Sequence, residues 1–227
     1  MTLVLVAHGT REDAGAVAVD DIADALRKRL PGVPVTRAFA DVRAPNVTEV
    51  LADVTGPAVV VPAFLASGYH VRVDVPGQVN RSAHPDTIVA DPLGPAPAVV
   101  AAMHDRLRTA GLRRGDAVVL AAAGSSDPNA LADVRHATRL LADRVGGRVR
   151  IGYVTTAHPS VDEAVAAAGR RGHRVAVASW LLAPGLFHRW VARTGAAVVS
   201  DPIGAHPLLV EELAQRYLIA RAACDRK

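Results

Sequence analysis

Two histidines stand where apolar runs give out. His8 ends the run of residues 3–7 and precedes Gly9. His70 comes two residues after Gly68, beyond the run AVVVPAFL of residues 58–65. A single histidine in such a place can be a simple polar stop. Two neutral imidazoles brought together suit a divalent first-row metal ion, and near neutral pH either can take a proton. Asp41 follows the run of residues 35–39 and would fall on the same rim if these runs are neighbouring strands. GSSD at 124–127 could open a helix able to hold an anion, although such a cluster also serves as a plain cap. No Walker A, GxGxxG or GxSxG pattern occurs, so Ser67–Gly68 is not a nucleophile elbow.

Composition narrows the partners. The chain has 227 residues, 50% hydrophobic and 21% charged, enough for one large or two small globular domains. Aromatics make up 4%, so the core must be built from small aliphatic side chains. The formal charge is +4, carried by arginine, since lysine occurs only at Lys28 and Lys227. Scattered arginines with few aromatics between them argue against nucleic acid. They fit an anionic small ligand, because guanidinium meets carboxylate in a two-pronged pair. The one cysteine, Cys224, excludes an intrachain disulfide, a CxxC zinc pair and an iron–sulfur ligand set. The first apolar run is too short for a signal-peptide core and has no basic flank, and no stretch of about 18 apolar residues occurs. A soluble, cytoplasmic protein without a membrane partner is the expectation.

The elements that must position these residues come in duplicate. FADVRAPNVTEVL (39–51) matches YVTTAHPSVDEAV (153–165), with Pro45 and Pro159 spaced by 114 residues. VLVAHG (4–9) matches VLAAAG (119–124), FLASG (64–68) matches LLAPG (181–185), and DPLG (91–94) matches DPIG (201–204). Four segments recurring in order mark two copies of a unit of roughly 110 residues. The boundaries read as 1–112 and 113–227, with a junction in AGLRRGD (110–116).

Within the first copy, residues 3–7, 35–39, 58–65 and 87–93 read as strands buried on both faces. Residues 12–30 carry apolar side chains at helical spacing, and a second helix starts at Val47. The second copy repeats the strands at 117–121, 149–154, 175–180 and 197–200. Strands alternating with helices predict an α/β fold, parallel sheets flanked by helices, with ligands at the carboxyl ends of the strands.

The duplication is also an internal control. His8 aligns with Ala123 and His70 with Phe187, whereas the neighbouring glycines persist as Gly124 and Gly185. Loop shape is kept in both copies and the imidazoles in one, which favours a function for His8 and His70. His188 is one position out of register and reads as a bystander. His84, His104, His136, His158, His173 and His206 read as surface histidines.

LVAHGTR, FADVRAPNVTEVL and VVVPAFLASGYHVRVDVP together resemble the sirohydrochlorin chelatases, the class II tetrapyrrole chelatases of siroheme and cobalamin formation. The likeness spans both halves and is strongest over residues 3–76. It implies two flavodoxin-like subdomains facing each other across a cleft. It implies a lyase that inserts Fe2+ or Co2+ into sirohydrochlorin without a nucleotide, as a monomer or homodimer. The family's active-site histidines carry over to His8 and His70, as catalytic groups and metal ligands. An acidic metal ligand carries over to Asp41, where a longer glutamate is more usual. The histidine-rich stretch and CxxC iron–sulfur segment of some longer relatives are absent. Arg11, Arg43 and Arg72, each beside a motif, would meet the substrate's carboxylates, and Gly68 would join them in binding the substrate.

Two other readings compete. A carrier of the same fold would bind metal or tetrapyrrole without catalysis. A histidine phosphatase would need Arg-His-Gly at the first strand's end, and this chain has Ala7 there.

Overall fold

The computed structural model describes residues 1–170 and 172–224. The first copy holds β1 (Thr2–Ala7), α1 (Asp13–Arg29), β2 (Val35–Phe39), α2 (Val47–Asp53), β3 (Ala58–Pro62), α3 (Val75–Ser82), β4 (Thr87–Val89) and α4 (Pro97–Thr109). The second holds β5 (Ala117–Ala122), α5 (Pro128–Val145), β6 (Val149–Tyr153), α6 (Val161–Gly169), β7 (Val175–Trp180), α7 (Leu186–Ala192), β8 (Val198–Val199) and α8 (Pro207–Cys224). A π-helical turn, His70–Asp74, leads directly into α3.

Both sheets are parallel and have the same order, β2-β1-β3-β4 and β6-β5-β7-β8. Past Thr2, every residue of β1, β3 and β7 is buried, and most are Val, Leu or Ala, as a sheet covered on both faces requires. The chain moves from β1 to β2 on one side, then crosses back to β3 on the other. The carboxyl ends of β1 and β3 therefore border the point where strand order reverses. Runs predicted longer than observed stop early for local reasons. β3 ends at Pro62, which lacks the N–H needed to continue the ladder, and β4 ends before Asp91–Pro92.

The repeat is visible in backbone detail. The Asn46 and Ser160 side chains each accept from the backbone N–H of Glu49 and Glu163, whose carboxylates accept in return from the Asn46 and Ser160 N–H groups. Gly9 and Gly124 have φ of +97° and +95°, and a Cβ there would fall 2.2 and 1.9 Å from the carbonyl oxygens of Asp41 and Thr155. Only glycine fits so close an approach in that conformation.

Compactness and repetition divide the chain differently. One compact unit is Met1–Gly94 together with the chain from Gly204, and the other is Pro95–Ile203. The last helix of each copy packs in the other copy's unit: α8 covers β3 and β4 and packs on α1, and α4 covers β7 and packs on α5. Arg29 forms a two-pronged pair with Glu211 at 2.6 and 2.9 Å, and the Tyr217 hydroxyl donates to the Met1 carbonyl at 2.8 Å. In the second unit, the Arg106 guanidinium donates twice to the Ile203 carbonyl, at 3.1 and 3.0 Å.

Candidate functional site

His8 is the residue after β1, and His70 opens the π-helical turn beyond β3. The sheet order makes β1 and β3 neighbours, and the two imidazoles meet with ring centroids 4.4 Å apart and planes at 76°. Phe64 lies 6.4 Å from each ring and backs the pair, and Tyr69 meets His70 edge-on at 6.0 Å. The turn holds its shape because the Gly68 carbonyl accepts from the Val71 and Arg72 N–H groups at 3.2 and 3.1 Å.

His8 keeps a solvent-exposed edge, but the protein on its other side partly desolvates the charged form, and His70 repels a second positive charge. His8 is therefore held below the ordinary imidazole pKa, toward the neutral form that carries a lone pair. Its Nδ1 lies 3.3 Å from the Gly9 carbonyl, an acceptor only. His70 Nδ1 lies 3.0 Å from Asp74 Oδ2. Partial burial pushes the Asp74 carboxyl up, but the hydrogen bonds from His70 and Gln78 outweigh this, and its pKa falls below the usual carboxylate value. An ionised carboxylate can only accept, so His70 Nδ1 carries the hydrogen, and in the neutral ring the lone pair is on Nε2.

Asp41 is drawn to the rim but not into the pair. Its N–H donates to the His8 carbonyl at 3.0 Å, while its carboxylate accepts from the Val42 N–H at 2.7 Å. Among the described residues, no group of three or more His, Cys, Asp or Glu side chains is arranged to hold a metal ion. Arg43 donates to the Thr10 carbonyl at 3.1 Å and to Asp13 at 2.7 Å, tying together the loops after β1 and β2. Arg11 and Arg72 are exposed beside the two histidines in sequence.

Asp74 and Gln78 are the residues sequence reasoning missed. They follow His70 at intervals of four, the spacing of one helix face, within a stretch whose V-R-V-D-V alternation reads as extended. The reading of the other histidines holds for His136, His158 and His173, which are exposed. His84 instead bridges the Val54 carbonyl at 3.2 Å and the Thr87 hydroxyl at 2.8 Å, and His104 and His206 are half-buried. His188 bonds the Ser200 carbonyl at 3.1 Å. In the second unit, Ala123 and Phe187 occupy the positions of the pair, and both pack against the hydrophobic cluster around Val177 and Val191.

Comparison with known proteins agrees with this architecture. SirB from Bacillus subtilis with Fe3+ matches with a TM-score of 0.84 at 22% identity, covering 100% of this chain and 98% of that one. SirB from Bacillus subtilis subspecies spizizenii in complex with cobalt matches with a TM-score of 0.80 at 20% identity, covering 97% of this chain and 96% of that one. The sirohydrochlorin cobaltochelatase of Methanococcoides burtonii is 35% identical over 78 residues, which is 33% of this chain and 60% of that relative. The chain thus spans less than two thirds of that curated relative's length. The CbiX family model matches residues 2–110 and again 117–220, so the duplication read from the sequence is a duplication of this module. The chain belongs to the CbiX family, with two copies of its module in one polypeptide.

Proposed function

We propose that this chain inserts Fe2+ or Co2+ into sirohydrochlorin without a nucleotide, in the formation of siroheme or cobalamin. The observation that carries the reading is the His8–His70 pair, two imidazoles 4.4 Å apart at the switch point of the first sheet. Two protein ligands hold an ion loosely and leave coordination positions open, as transfer to a macrocycle requires. Insertion releases two pyrrole protons. As each imidazole gives up the metal ion, its freed Nε2 can take one of them. Tyr69 and Val73, which flank His70 in sequence, and Val42, which follows Asp41, are exposed side chains suited to the face of a flat ring. Arg11 and Arg72 are the cations for the substrate's carboxylates, and Arg43 shapes the loops.

The test is anaerobic mixing of the protein with sirohydrochlorin and Co2+ or Fe2+, followed by visible absorption. Insertion should run faster than without protein and be lost in His8→Ala and in His70→Ala, with circular dichroism unchanged. Full activity in either variant would end the assignment. Binding of the tetrapyrrole without accelerated insertion would make the protein a carrier.

A further inference from the structure

We propose that Gln78 is a positioning residue that acts through Asp74 to fix which nitrogen of His70 faces the metal. Gln78 is 5% exposed, and each of its side-chain polar atoms is bonded. Oε1 accepts from the Val47 N–H at 3.0 Å, and Nε2 donates to the Ala40 carbonyl at 2.7 Å. A flipped amide would set oxygen against oxygen and N–H against N–H. Two backbone groups therefore set the amide's direction. Its second N–H then points to Asp74 Oδ1, at 3.2 Å.

Asp74 is thus required to accept at both ends, from Gln78 on one oxygen and from His70 Nδ1 on the other. The polarity runs one way, from the backbone at the end of β2 and the start of α2, through Gln78 and Asp74, to the imidazole. The Gln78 carbonyl also accepts from the Thr48 hydroxyl at 2.9 Å, which pins α3 to α2. In the second copy, at the spacing that pairs His70 with Phe187, Asp74 and Gln78 correspond to Val191 and Gly195. The relay is present where the imidazole pair is and absent where it is not.

The proposal rests on His70 being a metal ligand, and two readouts keep the claims apart. The tautomer of His70 is read in metal-free protein by nitrogen-15 NMR at alkaline pH, where imidazoles are neutral. Co2+ affinity is read by titration without tetrapyrrole. Asp74→Asn is the decisive variant. With Gln78 held by the backbone, the introduced amide must turn its oxygen to Gln78 and its NH2 to His70. The ring should then invert from the Nδ1–H to the Nε2–H form, and Co2+ affinity should fall about 10- to 100-fold. Adding Gln78→Leu frees the introduced amide to turn round, and the double variant should regain the Nδ1–H form and part of the affinity. Retention of the Nδ1–H form in Asp74→Asn alone overturns the proposal even if the double variant does not fold. A folded double variant that stays inverted also overturns it. A wild-type protein with the Nδ1–H tautomer and no Co2+ binding would leave the relay standing and refute the metal reading instead.

Discussion

Replacing Gly9 by alanine separates what the loop does for the fold from what it does for the site. The added Cβ would sit 2.2 Å from the Asp41 carbonyl oxygen and 3.2 Å from Val42 Cγ2. That oxygen already accepts from the Arg43 N–H at 2.8 Å, so the clash cannot be relieved by turning a side chain. An L-residue held at positive φ costs about 1–2 kcal/mol. Moving a packed backbone group adds about 1–3 kcal/mol, in line with overpacking penalties. A loss near 3 kcal/mol corresponds to a melting temperature lower by about 6–12 °C in a chain of this size. Gly124→Ala is the matched control, since its Cβ would meet the Thr155 carbonyl oxygen at 1.9 Å with nearly the same φ. Both variants should melt early by calorimetry, yet only Gly9→Ala should lose metal insertion when assayed well below its melting point. Wild-type stability in Gly9→Ala would refute the close-packing argument. Loss of insertion in Gly124→Ala would refute the placement of the chemistry in the first unit.

Two further outcomes follow from the electrostatics. Hydrogen bonds from Arg29 and then Gln215 hold Glu211 down to about 2, so the folded state keeps this carboxylate ionised where the unfolded chain would protonate it. The stability this contributes is full above the ordinary value of 4.5 and is lost as pH falls through about 2, and Glu211→Gln should remove that part of the acid unfolding curve in denaturant titrations. Dialysis against a strong chelator should leave far-ultraviolet circular dichroism and the melting temperature unchanged, because under the proposed function a metal at His8 and His70 is cargo and not a fold-defining ligand; a melting temperature that falls on chelation and recovers with Co2+ would contradict this.

Much of this was legible in the chain itself. The duplication could be read because the segments that recur carry backbone demands: a glycine at positive φ, a capping pair, a proline after the second strand. His8 could be read because a buried parallel strand has few reasons to stop on an imidazole in one copy and an alanine in the other. The relay behind His70 was harder to see. Val71, Val73 and Val75 alternate with polar residues as a strand would, and the π-helical turn that brings Asp74 to the Nδ1 edge of the ring starts at the loop leaving Gly68. The bond from Arg43 to Asp13 spans 30 residues and has no local signature. The exchange of α4 and α8 was not legible either, since an amphipathic pattern says that a helix covers a sheet and not which of two similar sheets it covers.

That exchange has a consequence for the order in which the molecule can be completed. Residues 95–203 are a single stretch of sequence, while the unit with the histidine pair joins residues 1–94 to the stretch that begins at Gly204. On the ribosome, β1 to β4 emerge before the middle unit and are covered after it. The middle unit has everything it needs once Ile203 is out, but the sheet beneath His8 and His70 waits for Leu209, Val210, Leu213 and Tyr217 of α8 to cover it. Translation halted between the two would yield a folded insert carried by a half-built host, with the imidazoles already synthesised and the sheet that aligns them still bare on one face.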